Sequence, residues 1–111
     1  MIYQGTSLSV QLLEDGIVEL KFDAQGSVNK FDTQTFIEFR AAIDAINNTK
    51  EAKSVVVTSG KSTYVVGADI TEFLDTFKKP VEELIPWIKQ STDIFNALED
   101  IQLPTIAAIN G

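Results

Sequence analysis

The chemistry this sequence can offer starts with three residues, Gly67-Ala68-Asp69, inside the run YVVGADITEF from Tyr64 to Phe73. None of the three carries a hydroxyl, a thiol or an imidazole. The spacing offers backbone chemistry instead. Gly67 permits a sharp turn and leaves room for a ligand to approach the main chain. Asp69 can open a helix and accept bonds from its first amides. The N–H groups around it are then not committed to a helical ladder, and the helix dipole adds partial positive charge at the same place. An N–H from Ala68 could face an oxygen that gains negative charge, which is half of an oxyanion hole built without any side chain. The same three residues also make an ordinary α/β junction of strand, glycine turn and Asp-capped helix.

Composition narrows the alternatives. There are no cysteines and no histidines among the 111 residues. This excludes disulfides, thiolate nucleophiles, Cys/His zinc sites and a Ser-His-Asp triad lying wholly within the chain. Sixteen acids against nine bases leave a net charge of −7, which disfavours nucleic acid but allows a local site for an anionic ligand. With 44% apolar and 23% charged residues, the chain reads as one folded domain with a modest core. Its start, MIYQGTSLSV, lacks the basic and apolar regions of a signal peptide. No apolar run approaches the length of a membrane span. A cytoplasmic protein is expected, in keeping with the missing cysteines. Glu14, Asp15, Glu82 and Glu83 lack metal-ligand spacing, so no metal site is expected.

For the Ala68 amide to be useful, flanking elements must hold it. Leu8, Val10 and Leu12 alternate with polar residues, as do Val18, Leu20 and Phe22. Each alternation predicts a strand, and Asp15-Gly16 between them predicts a hairpin turn. AQGSVNK, residues 24–30, reads as a loop. Asp32 or Thr33 can cap a helix from Thr33 to Ile46 whose apolar face is Phe36, Phe39, Ile43 and Ile46. SVVVT, residues 54–58, is a continuous apolar run suited to a strand covered on both faces, usually parallel. A turn over Ser59–Ser62 leads to a brief strand from Tyr64 to Val66.

A helix opening at Asp69 has Ile70, Phe73, Leu74 and Phe77 on its apolar side. Glu72 can bond back to the cap as in a capping box. After Lys78-Lys79-Pro80, another helix carries Val81, Leu84, Ile85, Ile88, Phe95 and Leu98, and Pro86 either kinks it or marks its start. Trp87 reads as a packing residue, and Phe36, Phe39, Phe73 and Phe77 read as core. TIAAI, residues 105–109, predicts a buried strand. The order is β-β-α-β-β-α-α-β, with a hairpin-then-helix rhythm occurring twice. Because the chain ends on a strand-to-turn junction, a piece of a longer protein is expected.

VVGADITEF, followed after the helices by LPTIAAING, resembles the crotonase (enoyl-CoA hydratase/isomerase) superfamily. LEDGIVELKFDAQGSVNKFDTQT together with YVVGADITEF is most similar to the multifunctional branch, the N-terminal part of the α subunits of bacterial fatty acid oxidation complexes. SVNKFD in place of the more usual N-A-L pattern points to the same branch. The resemblance runs over essentially the whole chain. It implies an α/β fold, the N-terminal portion of a crotonase-like ββα superhelix. Residues 1–111 would then be the N-terminal part of a hydratase/isomerase domain, with its remainder and any dehydrogenase domain absent.

Position by position, the resemblance implies that the Ala68 N–H binds the thioester oxygen of an acyl-CoA, with Gly67 and Asp69 as its turn and helix cap. It implies that Ser27-Val28-Asn29 lies along the adenine and pantetheine of coenzyme A, and that Val65 and Val66 line the nearby pocket. Lys61, Lys78 and Lys79 are candidates for the CoA phosphates, though a solvated surface role fits them better. The family's second oxyanion amide and its two catalytic glutamates lie beyond Gly111, so none of the acids present takes their roles and the chain alone is expected to be inactive. The implied activity is enoyl-CoA hydration or isomerisation in fatty acid β-oxidation, with the CoA thioester as substrate. No cofactor is implied for this stretch, and NAD only for a dehydrogenase domain. A thiolase subunit and self-association are the implied partners. Two other readings stay open: a stand-alone crotonase-fold enzyme of different reaction type, and a small acidic α/β binding module with a chance Gly-Ala-Asp.

Overall fold

A computed structural model describes residues 1–111. The chain forms a five-stranded mixed sheet in the order β1-β2-β3-β4-β5. Strands β1 (Tyr3–Gln4) and β3 (Ile17–Phe22) both pair antiparallel to β2 (Leu8–Leu12), which lies between them. Asp15 and Gly16 both take positive φ, 61° and 77°, as the tight turn of a right-twisted hairpin demands. The register puts Val10 opposite Leu20 and Leu12 opposite Val18, so one face of the hairpin is apolar throughout.

Helix α1 (Thr33–Asn47) crosses back so that β4 (Ser54–Ser59) pairs parallel to β3. Asp32 caps it, its carboxylate accepting from the Thr35 N–H at 2.8 Å. Helices α2 (Ile70–Phe77) and α3 (Val81–Glu99) then lead to β5 (Thr105–Ala107), parallel to β4. The core lies between one face of the sheet (Leu8, Val10, Val18, Leu20, Phe22, Val55, Val57) and the Phe39, Ala42, Ile43 and Ile46 stripe of α1. No helix is long and apolar enough to cross a membrane.

Glu38 is a buried acid on the core side of α1, 2% exposed. One of its oxygens accepts from the Ser7 and Leu8 amides, at 2.8 and 3.3 Å, and the other from the Thr6 hydroxyl and the Gln34 amide, at 2.8 and 2.9 Å. The carboxylate therefore fastens the β1–β2 turn to α1. Burial alone would push its carboxyl up, but the bonds from Gln34, Ser7 and Thr6 outweigh burial and hold it below the usual range.

Several expectations need correction. Residues 64–66 form no strand, and the second hairpin is missing: β4 pairs with β3 and β5 instead. The short β1 was not foreseen. β4 is parallel as its apolar run suggests, yet only Val55 and Val57 are buried, while Val56 and Thr58 sit on a half-open face. β5 is a strand, but it is exposed along its length because it forms the sheet edge and nothing in the chain covers it. Phe77 is 60% exposed rather than core, and Ile70 and Leu74 are exposed with it. Pro86 leaves α3 one continuous helix. On α3, Val81, Ile85, Ile88 and Phe95 of the expected apolar side are exposed, and the buried residue is Ile94; periodicity could not say whether a facing surface exists.

Candidate functional site

The Gly67-Ala68-Asp69 turn is held by a short parallel bridge between Phe31 and Ala68. The Phe31 N–H donates to the Gly67 carbonyl at 2.8 Å, and the Asp69 N–H donates to the Phe31 carbonyl at 2.9 Å. The Val66 N–H adds a bond to the Asn29 carbonyl at 2.9 Å. These bonds fix the direction of the amide between them. The Gly67 carbonyl and the Ala68 N–H belong to one trans peptide unit, so they point in opposite directions. With the carbonyl aimed at Phe31, the Ala68 N–H is aimed away from the ribbon, and it donates to no group in the protein. Accepting a bond at the carbonyl also polarises the peptide and makes its N–H a better donor.

Gly67 supplies the conformation. Its φ is +134°, where a side chain would be strained, and a Cβ there would meet nothing within 4 Å. The position therefore selects glycine for its backbone, and the space beside it is open. Asp69 caps α2 as its type predicts, Oδ1 accepting from the Thr71 and Glu72 amides at 2.9 and 3.3 Å. Its other oxygen pairs with Lys30 Nζ at 3.1 Å. The Lys30 ammonium foremost, then the Glu72 and Thr71 amides, hold the Asp69 carboxyl below the usual carboxylate range. The expected capping box does not close. The Asp69 N–H goes to Phe31, and Glu72 instead accepts from the Thr33 amide and hydroxyl at 2.8 and 2.9 Å, which ties the start of α1 to α2.

Residues 13–111 match the model of the enoyl-CoA hydratase/isomerase family. The chain belongs to that family. Two curated relatives are fatty acid oxidation complex α subunits. The one from Colwellia psychrerythraea is 69% identical over all 111 residues, which span 15% of its length. The one from Pseudomonas putida is 54% identical over 112 aligned positions, 16% of its length. The chain thus spans about a sixth of these relatives. Among solved structures, an enoyl-CoA hydratase from Shewanella pealeana superposes with a TM-score of 0.87 at 18% identity, covering 95% of this chain and 39% of that one. A crotonase from Legionella pneumophila superposes with a TM-score of 0.84 at 22% identity, covering 96% of this chain and 40% of that one. At such identities these structures establish the crotonase fold.

Within the family fold, the other expected site residues divide into two groups. Ser27 and Val28 lie exposed on the loop that leads into the ribbon. Val28 and Lys30 line a cavity of about 340 Å³ beside α1. Val66 is exposed, whereas the Val65 side chain packs against the core. Lys61 is paired with Asp23 at 3.2 Å, while Lys78 and Lys79 are exposed beyond the far end of α2. A larger cavity of about 810 Å³ lies between α1, α2 and α3, walled by Phe31, Phe36, Phe73 and Trp87; Ala68 is not among its lining residues. Trp87 meets Phe73 edge-on at 5.3 Å, which is the packing role expected of it.

Asn29 was the residue whose role the sequence concealed. It is 2% exposed. Its Oδ1 accepts from the Ala24 amide at 2.9 Å, and its Nδ2 lies 2.9–3.1 Å from the Phe22 carbonyl, the Ser59 hydroxyl and the Tyr64 carbonyl. One side chain thus binds both loops that lead to the ribbon. Its residue type, known to satisfy local backbone groups, was the only available signal.

Proposed function

We propose that the chain is the oxyanion-binding part of an enoyl-CoA hydratase/isomerase of fatty acid β-oxidation. The observation that carries this reading is the unpartnered Ala68 N–H, directed away from Phe31 by the bond on its own peptide carbonyl. An acyl-CoA thioester would place its carbonyl oxygen at that amide. Charge builds on the oxygen as an enolate forms, and a fixed N–H dipole stabilises it without reorganising. Losing one such donor costs about 3–4 kcal/mol of transition-state stabilisation. Ser27 and Val28 are the contacts for the CoA arm, Gly67 and Asp69 shape the turn, and Val65 backs the pocket from the core side. The names of the relatives, fatty acid oxidation complex subunit alpha, support the substrate class.

The two acids at the start of α2 are already engaged: Asp69 with α2 and Lys30, Glu72 with Thr33. By the family resemblance, the groups that move protons and the second amide of the hole belong to polypeptide outside these 111 residues. The thiolase partner, self-association and cytoplasmic location belong to the whole protein on the same reading. NAD would serve a dehydrogenase domain; this chain has no G-x-G-x-x-G turn to cradle it.

Thermal unfolding with added ligand tests the reading. Acetyl-CoA at ten times its dissociation constant is expected to stabilise the chain by about 1.4 kcal/mol, whereas ADP, lacking the acyl-pantetheine arm, stabilises it less. Equal protection by both would remove the acyl arm from the account. The chain alone is expected not to hydrate crotonyl-CoA, and measurable hydration would contradict the external placement of the proton-transfer groups.

A further inference from the structure

Asp69 poses an electrostatic problem. The capping carboxylate that starts α2 is one residue from the amide meant to receive a negatively charged oxygen. An unpaired carboxylate there would oppose the charge the amide stabilises. We infer that Lys30 is a positioning and charge-balancing residue for the Ala68 amide, acting through Asp69; this rests on the oxyanion reading above.

Lys30 sits between Asn29 and Phe31, the two residues whose main chains bond to Val66, Gly67 and Asp69. Its ammonium lies 3.1 Å from Asp69 Oδ2, and the Asp69 side chain is only 18% exposed. Oδ1 is meanwhile held by the Thr71 and Glu72 amides. One carboxylate therefore joins the first turn of α2 to the ribbon strand with its two oxygens. Its charge is matched on both: by the helix N-terminus on one oxygen and by Lys30 on the other. Glu72, in the first turn of α2, is turned to Thr33.

Hydrogen exchange of the Ala68 amide tests this without any ligand. At neutral pH hydroxide removes the amide proton and leaves negative charge on the peptide, so the rate senses the same field as a bound oxyanion. Magnetisation transfer from water gives that rate residue by residue in the labelled chain. Lys30→Met, which leaves Asp69 unbalanced, is expected to slow Ala68 exchange roughly two- to fivefold, the size expected of one partly exposed charge. Asp69→Asn, which retains a good helix cap, is expected to speed it by a similar factor. The double variant is expected to return near the original rate, and Lys30→Arg to match it.

Opposite signs in the two single variants distinguish charge balance from loosening, because a merely structural bridge would speed exchange in both. Faster exchange in both, or no change in Lys30→Met, would overturn the inference. A chain that fails to bind acetyl-CoA would defeat the substrate reading but leave this result readable.

Discussion

The two ends of α2 are held very differently. At the start, the main chain of residues 66–69 is bonded to Asn29 and Phe31, and Asp69 is both cap and ion-pair partner. At the far end, Phe77 is 60% exposed, and Val81, Ile85 and Ile88 of α3 are exposed beyond it. The candidate site therefore takes its geometry from the packed half of the molecule, the β1–β4 sheet and α1, and little of it from the helix it caps. Phe31 makes the connection. Its ring stacks near Phe36 and Phe39 and meets Phe22 and Phe95 edge-on, all within 6.0 Å. Its main chain meanwhile brackets Ala68 on both sides.

Damage on the ribbon side should therefore be costly and damage on the open side nearly silent. Asn29→Ala is expected to have the largest effect. It removes a buried side-chain amide and leaves the Ala24 N–H and the Tyr64 carbonyl without their partner, a loss of roughly 2–3 kcal/mol. Urea denaturation would measure it, and a loss below about 0.5 kcal/mol would mean that the loops are held some other way.

Acid should act next, through Glu38. Its folded pKa is depressed, so its contribution is fully present above the unfolded value, near 4.3. As pH falls below that value the unfolded chain takes up the proton first, and stability drops until pH passes the folded pKa. In Glu38→Gln that segment of the stability–pH curve should flatten. An unchanged slope would show that the carboxylate is not what fastens the β1–β2 turn to α1. The smallest effect is expected at Leu74, 59% exposed on α2. Leu74→Ser should lie within about 0.5 kcal/mol of the original, and a loss above 2 kcal/mol would mean that α2 is packed after all.

How much of this was legible in the sequence follows the same divide. Local signals read well: the Asp15-Gly16 hairpin, the Asp32 and Asp69 caps, the parallel β4 and the glycine at the site. Each depends on a few neighbouring residues. What escaped depends on distant ones. Asn29 sits in AQGSVNK, which reads as a solvated loop until Ser59 and Tyr64 are brought beside it. Glu72 has the spacing of a capping box, but Phe31 reaches the Asp69 amide first. The direction of the Ala68 N–H could not be read at all, because Phe31 sets it from 37 positions away.

The most direct test follows individual backbone amides in a labelled chain as acetyl-CoA is added. Saturable movement of the Ala68 proton to lower field, larger than at the amides already bonded within the protein and absent with ADP, is the predicted result. Saturable acetyl-CoA binding that leaves Ala68 unmoved would contradict the assignment of that amide to the thioester oxygen.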